Sequence, residues 1–227
     1  MNRLVQPELL DTLSPADPRA IRSRRDLRRI NWWMGNSSIM AKVLADNSPA
    51  PIEQIIELGA GDGTFLLRVA KKVAPQTSKV VAQLLDQQNV VASATLAAFA
   101  PLGWETTVVM ADVFKWVPDR SGKIIVANLF LHHFADGPLE SLLRKVSQNC
   151  NLFIAVEPHR FARPLLLGQL LWLINCNQVT RYDAVVSIRA GFAGAELSAL
   201  WPAKAGWQLT ERRTGLFSHL FIARRRD

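Results

Sequence analysis

Four histidines are this chain's candidates for moving a proton near neutral pH: His132, His133, His159 and His219. His132 and His133 fall in Ala127-Asn128-Leu129-Phe130-Leu131-His132-His133-Phe134, and His159 in Val156-Glu157-Pro158-His159-Arg160. Each group follows a strand-like apolar run. A neutral imidazole there can take the proton of a hydroxyl acceptor while a bond forms at its oxygen. Of the adjacent pair His133 is the stronger candidate, with His132 and His159 behind it. For any one of them a helix-capping or buried structural role competes, and His219, inside a strand-like run, is expected to be structural. A second group of chemistry-bearing residues surrounds Ile55-Ile56-Glu57-Leu58-Gly59-Ala60-Gly61-Asp62-Gly63-Thr64. Glycines suit a backbone that turns sharply or must let a ligand come close. This turn should hold a small molecule against main chain.

The spacing narrows the ligand. A dinucleotide fingerprint, G-x-G-x-x-G, would need glycine where Thr64 stands, and a phosphate loop of the G-x-x-x-x-G-K-[ST] kind would need a lysine that is missing. The run is instead E-x-G-x-G-x-G, with Glu57 at the strand end and Asp62 in the turn. Two carboxylates repel a pyrophosphate and attract a ligand carrying an ammonium and a sulfonium. The run resembles the first motif of class I S-adenosylmethionine-dependent methyltransferases.

Further strand ends extend the resemblance over residues 52 to 157. Leu84-Leu85-Asp86-Gln87 places a carboxylate where it can accept both ribose hydroxyls, a reading favoured over a simple cap for the next segment. Asp112 is suited to the adenine amino group, with Val113 and Phe114 against the ring. The resemblance therefore implies a cofactor site made of Glu57, Gly59, Ala60, Gly61, Gly63, Asp86, Gln87, Asp112, Val113, Asn128 and Leu129. The cofactor it implies is S-adenosylmethionine, released as S-adenosylhomocysteine. The sequence after the fourth strand looks like the branch acting on small molecules, which includes quinone- and polyketide-modifying enzymes of secondary metabolism. Base-methylating relatives show Asn-Pro-Pro-aromatic there, and cytosine enzymes a Pro-Cys nucleophile; neither occurs here. Metal-dependent catechol enzymes carry an aspartate where this chain has Asn128, so no metal is expected.

The elements that must position these residues alternate along the chain. Strands are expected at 53–58, 79–85, 106–111, 123–128 and 152–157, and helices at 64–74, 88–100 and 137–148. Two closing strands, 206–213 and 217–224, read as a hairpin around Thr214-Gly215. The expected fold is α/β: a Rossmann-like, doubly wound, mostly parallel seven-stranded sheet with an antiparallel last strand. Residues 1–50 form an N-terminal helical segment, with a helix from Asp17-Pro18 to about Ala45 broken near Gly35-Asn36. Residues 51–227 form the methyltransferase domain, with 160–204 as a substrate-binding insertion.

Composition bounds the rest. The 227 residues and 49% hydrophobic content suit one sizeable domain with a real core. The start of the chain lacks a secretory pattern, the longest apolar stretch is too short to span a bilayer, and Cys150 and Cys176 form no disulfide or metal spacing. A cytoplasmic monomer or homodimer is expected. The formal charge of +8 is concentrated at Arg22, Arg24, Arg25, Arg28 and Arg29 and at Arg224 to Arg226. A solvated helix face is favoured over a nucleic-acid surface, because the aromatics are not interleaved with the arginines along the chain. Peripheral membrane contact stays open. Trp33, Phe130, Arg163 and Tyr182 are expected to contact an apolar acceptor with one polar handle, against the reading that such aromatics are core. The leading reading is methylation of a phenolic or other hydroxyl oxygen on a hydrophobic small molecule. The alternatives are an RNA or protein methyltransferase and a non-catalytic cofactor-binding subunit.

Overall fold

The structure is a computed structural model that describes all residues except 1, 15, 49–50, 75–78, 118–122, 162–169, 203 and 227. Arg163 lies outside the described residues. Seven strands form one sheet in the order β3-β2-β1-β4-β5-β7-β6. They are β1 (Gln54–Leu58), β2 (Val80–Asp86), β3 (Trp104–Met110), β4 (Lys123–Asn128), β5 (Cys150–Pro158), β6 (Trp207–Thr214) and β7 (Ser218–Arg225). The first five are mutually parallel, and β7 runs antiparallel to both β5 and β6. This is the expected sheet. The chain leaves β1 towards β2 and β3, then returns to start β4 on the other side of β1. The crevice over the carboxyl ends of β1 and β4 is therefore the topological switch point.

Burial on both faces explains the near-continuous apolar strands. Alternate side chains enter two cores. Ile55, Ile124, Val126, Ile154 and Val156 enter one; Ile56, Leu58, Ile125, Phe153 and Ala155 enter the other. The first core is closed by α3 (Asn36–Asn47), through Met40 and Leu44, and by α4 (Thr64–Val73), through Leu66 and Val69. The second is closed by α6 (Asp136–Asn149), whose Leu139, Leu142, Leu143 and Val146 repeat at helical spacing, and by Leu197 of the short α8 (Glu196–Leu200).

The N-terminal region follows its local signals. A short α1 spans Leu9–Thr12, and α2 spans Pro18–Met34. Asp17 caps α2 by accepting the Arg19 amide at 2.8 Å, with Pro18 in the first turn. Gly35, at φ 69°, ends α2 and permits the bend into α3. Helix α2 packs against α7 (Gln178–Ala190): Ser23 and Thr180 share a buried hydrogen bond of 2.9 Å, and buried Asp26 accepts the Asn177 amide at 2.9 Å. The helix expected at 88–100 is shorter, α5 (Ser93–Ala97). Asp86 accepts the Gln88 amide at 2.9 Å, a turn that holds the chain out of helix just after β2.

Candidate active site

The turn after β1 is the floor of the site. Gly59, Gly61 and Gly63 all have positive φ, at 66°, 53° and 71°. A Cβ on Gly59 would lie 2.1 Å from the Phe130 ring, so the turn and the segment after β4 pack as one unit. A Cβ on Gly61 would meet nothing within 4 Å, which leaves open space over its main chain. The Gly61 N–H donates to Asp86 Oδ2 at 2.8 Å and pins the turn to the end of β2. Thr64 donates its hydroxyl to Asp62 Oδ1 at 2.6 Å, and Arg28 of α2 donates to Asp62 Oδ2 at 2.8 Å. Burial would raise the Asp62 pKa, but these donors outweigh it and hold the carboxyl below its ordinary range. Arg28 thus offsets part of the Asp62 charge within the protein.

Glu57 is different. It is fully buried, and its Oε2 has no hydrogen-bond partner. Burial, then the charges of Asp62 and Asp86, pushes its carboxyl well above the usual range. A buried carboxyl with an orphaned oxygen facing a cavity lacks a cationic donor.

That cavity has a volume of about 470 Å³. Its floor is Glu57, Gly59, Ala60 and Gly61, with Asn128, Leu129, His132 and His133 beside them. Glu8 and Asp11 come from the N-terminal segment, Arg28 and Trp33 from α2, and Ser187 and Ile188 from α7. The segment after β4 is held from beneath by Glu157 at the end of β5. Its carboxylate accepts the amides of Phe130 at 3.1 Å and Leu131 at 2.9 Å, and faces His132 Nδ1 at 2.8 Å. Leu129 sits at φ 51°, a conformation that non-glycine residues rarely adopt. Strain of this kind clusters where a backbone is shaped for a ligand.

The two adjacent histidines have different environments. His132 is buried between two carboxylates, Nδ1 against Glu157 and Nε2 3.4 Å from Glu8. Burial alone would lower its pKa, but hydrogen bonds and charges of Glu157 and Glu8 raise it to about 9. At neutral pH it is an imidazolium and holds no lone pair for a proton. Glu8 itself accepts a short hydrogen bond from Ser187 of α7. His133 is half-buried at the cavity wall, with Nδ1 3.4 Å from Asp11 Oδ2. Among the described residues, Glu8, His132 and His133 also present three ligand-type atoms within 4.8 Å of one another. A metal there would have to displace the proton between His132 and Glu8, which already closes that contact.

The cavity brings together Glu57, Gly59, Ala60, Gly61, Asn128, Leu129, Trp33, His132 and His133. The other expected residues that the structure describes stand outside its lining. Gly63 backs the turn, where a Cβ would meet Leu84 at 2.8 Å. Asp86 ends β2 and exposed Gln87 follows it; Asp112 past β3 accepts the Phe114 amide at 2.9 Å in a local turn, and Val113 is core. Phe130 packs beneath Gly59 and edge-on to Phe134, with ring centroids 5.1 Å apart. Tyr182 is exposed on α7. His159 stacks on His219 at 5.9 Å instead of facing the cavity, and burial with the charges of His219 and Arg213 lowers its pKa. His219, paired with Glu211 at 2.8 Å and buried in β7, is structural.

Three contributors escaped the sequence reading. Glu8 and Asp11 lie in a stretch without periodic pattern. They are delivered by Asp183, which accepts the amides of Leu9 and Leu10 at 2.7 and 3.1 Å, and by Arg3, which donates to Asp136 at 2.7 Å. Glu157 was visible as a carboxylate at a strand end, the same signal that singled out Glu57 and Asp86. Asn128 is fixed by Asn36 of α3, which donates to its Oδ1 at 2.9 Å and accepts from Ser218 at 2.7 Å.

No protein-family profile and no curated protein sequence matches the chain. Solved structures do. The plantazolicin methyltransferase BpumL in complex with S-adenosylhomocysteine aligns with a TM-score of 0.66 at 12% identity, over 93% of this chain and 92% of that one. An O-methyltransferase family protein from Burkholderia thailandensis aligns with a TM-score of 0.60 at 17% identity, over 92% of this chain and 60% of that one. The N,N-8-amino-8-demethyl-D-riboflavin dimethyltransferase RosA from Streptomyces davawensis aligns with a TM-score of 0.61 at 18% identity, over 97% of this chain and 62% of that one. The strand order, the glycine turn at the switch point and these likenesses agree: the chain has the class I methyltransferase fold.

Proposed function

We propose that this chain is an S-adenosylmethionine-dependent methyltransferase that methylates a hydroxyl oxygen of a hydrophobic small molecule such as a phenol, a quinol or a polyketide. The observation that carries this reading is the single cavity that joins orphaned Glu57 and the glycine turn to His133 through an apolar wall. The residues present fit the cofactor. Glu57 offers an unpartnered buried oxygen to an ammonium, and Gly61 leaves its main chain open to close approach. Glu57, Gly59, Ala60, Gly61, Asn128 and Leu129 would hold the amino-acid end, with Asp86, Gln87, Asp112 and Val113 along the nucleoside. When bound, the cofactor supplies a methyl group on a sulfonium, already a good electrophile.

The protein's task is then to orient the acceptor, exclude water and remove one proton. His133 takes the proton from the acceptor hydroxyl, and Asp11 beside its Nδ1 orients the ring and steadies the imidazolium that forms. His132, held positive between Glu8 and Glu157, positions the loop that carries His133 and places a fixed cation near the developing oxyanion. Trp33, Leu171 and Ile188 give the acceptor an apolar surface. Asn128, where metal-dependent relatives have a carboxylate, supports transfer without a metal.

The test is transfer from methyl-labelled S-adenosylmethionine across phenols, quinols and carboxylic acids. Label on a hydroxyl acceptor, with stoichiometric S-adenosylhomocysteine, is the expected result. Tight cofactor binding with no transfer to any acceptor would make the chain a binding subunit, and transfer to RNA alone would overturn the acceptor class.

A further inference from the structure

The surface around the cavity mouth carries a feature that the catalytic reading does not use. On α2, Ile21, Arg25, Arg29 and Trp32 follow at spacings of four, four and three residues and form one stripe. All four are exposed, Trp32 at 66%. Trp33 stands beside them, exposed and lining the cavity. A second segment runs along the same stripe. Arg22 and Arg29 donate to the carbonyls of Asn175 and Ile174 at 3.2 and 2.9 Å. That keeps the helical turn at residues 170–173 beside α2, with Trp172 63% and Leu173 69% exposed. Leu170, exposed and also part of the cavity wall, continues the apolar surface inward.

Folding thus brings Trp172 and Leu173 beside the arginines of α2, from which the linear sequence separates them. Single exposed apolar side chains are ordinary, but a contiguous group at a cavity mouth marks an interaction site. A nucleic acid would use the arginines and the indoles, yet Ile21, Leu170 and Leu173 offer it neither charge nor a stacking surface. A bilayer surface suits every member. Indoles settle at headgroup level, aliphatic side chains enter the acyl boundary, and arginines meet anionic headgroups. The formal charge of +8 adds attraction to an anionic surface. No helix among the described residues is long and apolar enough to cross a membrane, so the contact is peripheral.

We infer that this face docks on an anionic lipid bilayer with the cavity mouth against the membrane, so that a lipophilic acceptor enters from the bilayer without crossing water. The docking stands on the surface itself; the delivery of an acceptor rests on the reading of the cavity as a methyl-transfer site. Neither the arginines nor the indoles alone suffice, since lasting interfacial binding takes two signals.

The experiment is sedimentation of the full chain with vesicles of phosphatidylcholine alone or mixed with phosphatidylglycerol, at low and raised salt. Binding to the mixed vesicles, weakened by salt, is expected, with little binding to phosphatidylcholine. Arg25→Glu should weaken binding at least about fivefold, since one cation near an anionic surface is worth about that factor. The double variant Trp32→Ser, Trp172→Ser should weaken it about tenfold or more, and both variants should keep the wild-type circular dichroism and vesicle-free transfer to a soluble acceptor. No binding to anionic vesicles at low salt would overturn the inference. So would binding that both variants retain, which would move the contact to another basic segment such as Arg224 to Arg226, or binding of RNA in place of vesicles. Vesicle binding needs neither cofactor nor turnover, so its failure is distinct from a failure of methyl transfer.

Discussion

His132 ties the N-terminal segment to the carboxyl end of the sheet through one buried positive charge, and the strength of that tie should depend on pH. Its pKa rises from the ordinary 6.5 to about 9 in the fold. At about 1.36 kcal/mol for each pKa unit, this corresponds to about 3 kcal/mol of stability. The sign follows from the raised value: the contribution is fully present below pH 6.5 and is lost as pH climbs through about 9. On the acid side Glu8 sets the limit. Burial would raise its carboxyl, but the His132 hydrogen bond and charge hold it below its ordinary 4.5, so its share fades as pH falls below that value. His132→Gln keeps a donor for Glu157 but removes the charge, leaving two buried carboxylates without a cation. Urea denaturation of both proteins from pH 6 to 10 should show a gap of about 3 kcal/mol near neutrality that closes as the medium becomes alkaline. Parallel stability curves across that range would refute the buried imidazolium and return His132 to the list of bases.

His133→Ala should lower turnover at least about tenfold with cofactor affinity unchanged, whereas His159→Ala should have little effect; equal losses, or none, would discard His133 as the base. Asp11→Asn should lower turnover, but less than His133→Ala, because it removes the partner of His133 Nδ1 and not the base. Asp86→Ala should weaken cofactor binding by about 1.5–3 kcal/mol, roughly tenfold to a hundredfold, with the fold intact; an unchanged dissociation constant would reduce Asp86 to the turn contacts it makes with Gly61 and Gln88. Turnover should survive a chelator, because Glu8 and His132 already satisfy one another; loss restored by a divalent cation would instead make Glu8, His132 and His133 a metal site.

What the sequence disclosed followed from local rules. Buried parallel strands show as short, mostly apolar runs at 55–58, 124–126 and 152–156, and the glycine turn shows because its positive φ values exclude most other residues. These two signals together were sufficient for the sheet and for the floor of the site. The walls obey no local rule. Glu8 and Asp11 reach the site because Asp183, far along the chain, accepts the first amides of α1 and Arg3 anchors the segment to Asp136. Arg28 resembled any solvated arginine until packing set it against Asp62. The adjacent His132 and His133 cannot be told apart by type or spacing; their difference is that Glu157 stands under one and open cavity beside the other. The packing of Phe130 was equally illegible, since its ring fills the space that Gly59 leaves beneath the turn.

Calorimetric titration of the wild-type chain and of Glu57→Gln with S-adenosylmethionine and with a nicotinamide dinucleotide distinguishes the two cofactor classes. S-adenosylmethionine should bind and the dinucleotide should not, because the ligand's cation offsets the burial that raises the Glu57 carboxyl. Glu57→Gln should bind S-adenosylmethionine more weakly. Preference for the dinucleotide, or cofactor affinity that Glu57→Gln leaves unchanged, would contradict this.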